Sequence, residues 1–175
     1  MATATEYGGA ASGTSWTNPT NVNADDAADA VYTIAAKNTT GNELTVSSFG
    51  FDASIPAGAT INQVDLVVEH YVSTGSGIAH LEQAVRTGGT TGTFQTNSAE
   101  PTTATQTTYA SIARPGGGSW TRDDLLDATF EVRIRARSGN NATSVDYKGD
   151  YARVVVTYTE APVTTGPGAD GCGVW

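Results

Sequence analysis

The sequence predicts an all-β fold: an antiparallel two-sheet jelly-roll sandwich of about eight strands with one short helix and extended arms at both ends. Three observations predict it. Thr is the commonest of the 175 residues at about 16%, and Val outnumbers Leu about three to one, which is the vocabulary of pleated strands. Twenty glycines and six prolines punctuate the apolar runs, as tight turns require. No strand alternates with a long helical period, so a parallel α/β sheet is disfavoured, and no internal repeat suggests a propeller or solenoid. Leu, Ile, Val and Phe total only about 17%, but charged residues are 15%, too sparse for a disordered chain.

In chain order, residues 1–15 (MATATEYGGAASGTS) carry small side chains without Val, Ile or Leu and read as an N-terminal arm. Residues 160–175 (EAPVTTGPGADGCGVW), with two prolines and four glycines, read as a C-terminal arm. Neither arm has an apolar face of its own, so a neighbouring chain is the expected anchor for both. The sandwich domain is placed at 16–159. The clearest strand is 61–73, with Val64, Leu66, Val68, His70 and Val72 on one face and Asp65, Val67, Glu69 and Tyr71 on the other. The run 129–137 alternates more cleanly, Phe130, Val132, Ile134 and Ala136 inward and Glu131, Arg133, Arg135 and Arg137 outward. Residues 151–159 (YARVVVTYT) are apolar on both faces, which predicts a central or covered strand. Weaker strands read at 30–37, 43–48, 78–86 and 105–113. Turn signals separate them at Thr40-Gly41-Asn42, Pro56-Ala57-Gly58, Gly75-Ser76-Gly77, Gly88-Gly89, Pro115 to Gly118 and Ser138 to Asn141. The helix is expected at 122–127, with Thr121 accepting from the Asp124 amide and Leu125 or Leu126 docked on the sandwich rim.

Charge and motifs exclude several functions. A net charge of −9 with only nine basic residues disfavours nucleic acid and anionic membranes as partners. No 18-residue apolar run is present, and MATATEYGGA lacks a basic leader with an apolar core, so neither a membrane span nor a secretory signal is expected. Cys172 is the single cysteine and is expected as a free thiol. No G-x-S-x-G, H-E-x-x-H, G-x-x-x-x-G-K or C-x-x-C motif occurs, and only His70 and His80 are available as catalytic bases. The chain is therefore expected not to be an enzyme and to need no cofactor.

Binding residues are the remaining candidates. Asp25, Asp26 and Asp29 form a weak candidate for a hard cation, without the spacing of a wrapping loop, and no metal is expected. Arg133, Arg135 and Arg137 place a third of the basic charge on one strand face, either for an acidic partner or for cross-strand pairing with Asp65 and Glu69. Tyr7, Trp16, Trp120, Val174 and Trp175 are the candidate partner contacts, since an exposed Trp anchors an interface or stacks on a sugar.

Several segments resemble one family. Trp16-Thr17-Asn18-Pro19 with Asn23-Ala24-Asp25-Asp26, then Ser48-Phe49-Gly50-Phe51 leading into Ile55-Pro56-Ala57-Gly58-Ala59-Thr60-Ile61, Trp120 to Leu125, and the closing Val154 to Thr159 are similar to β-sandwich structural proteins of tailed bacteriophages. The resemblance covers 16–159 and departs in the Thr- and Gly-rich stretch 87–108 and the glycines 116–118. It implies a virion protein made in the host cytoplasm, most simply a capsid decoration or cement component. Its partners would be the major capsid protein or other virion proteins, including copies of itself. A minor tail or head-tail collar protein is the near alternative. A carbohydrate-binding module, with Trp16, Trp120, Tyr71, Tyr147 and Tyr151 as stacking residues, is the alternative of another class. Within the SFGF segment, Phe49 and Phe51 are expected to alternate so that Gly50 admits a neighbouring chain.

Overall fold

The computed structural model describes residues 1–73, 79–96, 100–139 and 145–162. Cys172, Val174, Trp175, the turn Gly75-Ser76-Gly77 and Asn140-Asn141 lie outside the described residues. Ten strands form two five-stranded antiparallel sheets. The first contains β1 (Ala2–Tyr7), β3 (Ala30–Ile34), β5 (Thr60–Val72), β8 (Thr105–Tyr109) and β10 (Val145–Thr159). Its order is β1-β10-β5-β8, with β3 pairing the opening residues of β10. The second runs β2 (Ala10–Ser12), β4 (Leu44–Ser47), β9 (Glu131–Ser138), β6 (Ala79–Thr87) and β7 (Thr90–Thr91).

The alternation read from the sequence fixes what lies between the sheets. Val64, Leu66, Val68, His70 and Val72 are all buried on β5, and Phe130, Val132, Ile134 and Ala136 are buried along and just before β9. Strand β10 is central in its sheet, between β5 on one side and β1 and β3 on the other. It begins six residues earlier than 151 because a bulge at Gly149–Tyr151 carries the pairing through the polar run Asp146 to Asp150.

The N-terminal fifteen residues are not an arm. Residues 2–7 pair with β10 from Ala2↔Tyr158 to Tyr7↔Arg153, and residues 10–12 pair with β4, so this stretch edges both sheets of its own domain. The reason is that an edge strand is held by backbone hydrogen bonds and needs little side-chain volume; alternating Thr and Ala, with Ala4 turned to the core, suffices. Gly8 and Gly9 allow the crossing between sheets. A Cβ at Gly8 would stand 2.1 Å from Val46 Cγ1, and one at Gly9 would stand 2.8 Å from the Ser48 carbonyl oxygen.

The SFGF segment also departs from the alternation expected. Gly50 takes φ +77, and Phe51 then opens a single helical turn, α1 (Phe51–Ser54), so that Phe49 and Phe51 both enter the core. Gly50 is there for its left-handed backbone rather than for the approach of a neighbouring chain. The helix expected at 122–127 is a 3-10 turn at Arg122–Leu125. Its cap is the capping box expected: the Thr121 side chain meets the Asp124 amide, and the Thr121 amide donates back to Asp124 Oδ2 at 2.9 Å. Leu125 is fully buried, as the docking expectation requires.

Two segments that carry the resemblance meet at one end of the sandwich. Phe130 packs edge-on against Phe49 and Phe51 at 5.4 and 6.0 Å between ring centroids, and Trp120 closes on it at 6.2 Å. Around these rings, Arg122 donates to the carbonyls of Ile55 and Asp52, each at 2.7 Å, and the Gly50 amide donates to Asp127 Oδ1 at 2.8 Å.

Candidate functional site

The outer face of the second sheet gathers four of the nine basic residues, Arg86, Arg133, Arg135 and Arg137. Alternation on β9 points Arg133, Arg135 and Arg137 away from the core, and the antiparallel register sets His80 opposite Arg137, Glu82 opposite Arg135 and Arg86 opposite Glu131. The arginines therefore pair within their own sheet. Arg135 Nε donates to Glu82 Oε2 at 2.7 Å and Arg137 Nη1 to Glu82 Oε1 at 3.2 Å, while Arg133 reaches Glu131 and Glu43 at 2.5 and 3.3 Å. The expected partners Asp65 and Glu69 lie on β5 in the other sheet, where Asp65 instead accepts from Gln63 and from the Ser111 amide. Burial pushes the Glu131 carboxyl up, but hydrogen bonds from Arg133 and Arg86 outweigh it and hold the group below the ordinary range.

Strand β6 contributes an acid that is almost sealed. The Glu82 side chain is 5% exposed between Arg135 and Arg137 and lines a cleft, while residues 92–96 run back along β6 with Gln95 pairing Gln83. From the same stretch Phe94 lies under Arg135, 3.6 Å from guanidinium carbon to ring centroid. Beside this group opens a polar cleft of about 440 Å³ bounded by Thr40 and Asn38 on one side and His80 and Thr96 on the other. His80 Nδ1 is buried without a hydrogen-bond partner among the described residues.

The other expected residues fall elsewhere. Trp16, at 7% exposure, fills the domain's own core, with its Nε1–H on the Asn42 carbonyl at 2.9 Å and its ring against Tyr32. Trp120 is half-buried, its Nε1–H on the Ile112 carbonyl at 2.8 Å. Trp16 therefore offers no free ring face as a partner anchor. Tyr7 stands edge-on to Tyr151, and its hydroxyl accepts from Arg153 Nη1 at 3.1 Å. Tyr147 and Tyr151 are buried, and Tyr71 donates to Asp29 at 2.6 Å. The stacking residues thus form no exposed coplanar pair among the described residues, where Met1 is the one strongly exposed large apolar side chain.

Asp25 and Asp26 sit on an exposed loop, with Asp26 accepting from the Ala28 amide and Asp29 facing Tyr71 and Lys148. Among the described residues no three His, Cys, Asp or Glu side chains stand where they could hold a metal ion. Burial first, then the neighbouring Asp25 and Asp26, push the Asp150 carboxyl up; burial and Asp150 do the same to Glu69. His70 Nδ1 pairs with Glu100 Oε1, and Glu100 also accepts from the Leu81 amide at 3.0 Å. These two side chains are 1% and 2% exposed, so the pair ties residue 100 to the core.

Glu82 and Phe94 were not singled out by the sequence. The alternation of 78–86 does place Glu82 on one face with His80, but only the register with β9 shows that Arg135 stands opposite. Phe94 is hidden in a Thr- and Gly-rich stretch with no period.

No family model matches the chain, and no curated protein matches it. Among solved structures, it is similar to TmCBM61 in complex with beta-1,4-galactotriose at 9% identity, covering 87% of this chain and 86% of that one with a TM-score of 0.39. It is also similar to a CBM4 structure at 12% identity, covering 75% and 80% with a TM-score of 0.36. A chain of infectious bursal disease virus Gt strain is 16% identical, covering 75% of this chain and 34% of that one with a TM-score of 0.31. These are likenesses of strand arrangement and say nothing of this chain's ligand.

Proposed function

We propose that the chain is a non-catalytic structural protein of a tailed-phage particle, a decoration or cement component that binds the assembled shell through its sandwich edges. The observation that supports this reading is the end lock. The SFGF/IPAGATI and WTRDDL segments, about 70 residues apart, interdigitate as one frame through Phe130 and Arg122, which is how a family's fold signature behaves. Contact with the shell falls to the edge strands of the two sheets, β1 and β8 in the first and β2 and β7 in the second. Sedimentation of the purified chain with bare phage capsids tests the proposal. Saturable co-sedimentation supports it; a chain that stays in the supernatant at every ratio overturns it.

A second reading, a glycan-binding module, is favoured by one observation: the polar cleft beside Arg137. Its recognition would rest on hydrogen bonds and charge, because Trp16 is spent on the core and Trp120 packs half-buried against Phe130.

A further inference from the structure

We propose that the cleft beside Arg137 is a binding site for a carboxylated sugar, an inference that rests on the glycan-binding reading and names its ligand class. Its volume of about 440 Å³ falls within the roughly 300–1,000 Å³ of small-ligand clefts, but its lining is polar. An apolar ligand would gain little there and would strip water from charged groups. A ligand that fits must bring hydrogen-bonding groups of its own and offset an excess of positive charge.

That excess lies at Arg137. Glu82 is one buried carboxylate shared between two guanidinium groups, and its shorter bond goes to Arg135 at 2.7 Å. Arg135 is fixed further by the Phe94 ring beneath it. Arg137 keeps only the 3.2 Å bond to Glu82, and its side chain is 60% exposed, so most of its N–H groups face solvent or ligand. A guanidinium held from one side and open on the other is arranged to receive a second carboxylate in a planar, two-bond contact. Across the cleft from β6, Thr40 pairs its backbone with Arg137 and lines the opening, with Thr96 on the other wall. Polar residues on two walls around one cation match a ring that bears several hydroxyls and one carboxylate. In a protein of net charge −9, this local cation offsets the repulsion that an acidic ligand meets from the rest of the chain.

Calorimetric titration of the full chain with tetragalacturonate, neutral galactotetraose and acetate tests the site. The expected result is saturable binding of tetragalacturonate at least tenfold tighter than of the neutral sugar. Arg137→Gln should remove that preference while leaving the thermal midpoint unchanged, Arg137→Lys should keep part of it, and Thr40→Ala should weaken the acidic sugar severalfold. Equal affinity for the acidic and neutral sugars leaves the glycan-binding reading standing and overturns the inference. No saturable binding of either sugar overturns both. Acetate competing at equal molarity with tetragalacturonate also overturns it, by reducing the site to a bare anion contact.

Discussion

At the aromatic end of the sandwich, four rings and three long-range hydrogen bonds join segments about 70 residues apart. On the outer face of the second sheet, three arginines of one strand are balanced by Glu43, Glu82 and Glu131, and a polar cleft is left open beside them. The first region is apolar, closed and held by groups with no alternative partner. The second is charged, half-exposed and exchanges its partners with water and salt. The difference teaches where pattern and pairing part: the segments that carry the resemblance build the frame, whereas the arginine ladder is readable but its partners come only from the sheet register.

The largest expected effect tests whether the N-terminal strands belong to the frame. Deleting residues 1–12 strips one edge from each sheet, and the thermal midpoint should fall by on the order of 10 °C or folding should fail. An unchanged midpoint would restore the arm. Within the aromatic end, Phe130→Ala removes the ring that Phe49, Phe51 and Trp120 share and should cost about 3–5 kcal/mol in denaturant unfolding. Arg122→Ala leaves the Ile55 and Asp52 carbonyls without their donor and should cost about 1–3 kcal/mol.

A smaller effect depends on acid. The hydrogen bond from Arg114, against opposition from burial and with help from Thr121, holds the Asp124 carboxyl down at about 2. A depressed carboxyl contributes stability that is complete above its unfolded value near 4 and is lost as pH falls toward 2, on the order of 2 kcal/mol here. Asp124→Asn should flatten the stability profile between those limits, as read by unfolding at a series of pH values. The smallest effect is expected on the charged face. Arg133→Ala should cost less than about 1 kcal/mol, and the difference should shrink in high salt.

Legibility in the sequence divides along the same line. Strands β5 and β9 were readable because apolar and polar residues alternate over eight or more positions, and the second half of β10 because a run apolar on both faces predicts a central strand. Strands β1 and β2 were not, since Ala and Thr held by backbone pairing give no hydrophobic contrast. Helix α1 was masked because Phe49-Gly50-Phe51 imitates a strand until Gly50 takes a positive φ. At the site, the outward arginines were legible as a ladder, but their partners depend on which strand is adjacent, and adjacency is a property of the sheet. Trp16 and Trp120 were read as anchors because both flank turns, yet each finds a carbonyl and a ring within its own domain.

The central claim, that the motif-bearing end is frame and binding occurs elsewhere, is tested most directly by amide hydrogen exchange on the chain free and bound to phage particles. The account predicts that residues 49–61 and 120–132 exchange slowly in both states, and that new protection on binding appears at the edge strands β1, β2, β7 or β8 or the outer face of the second sheet. New protection concentrated at 49–61 and 120–132, with the edges and outer face unchanged, would contradict it.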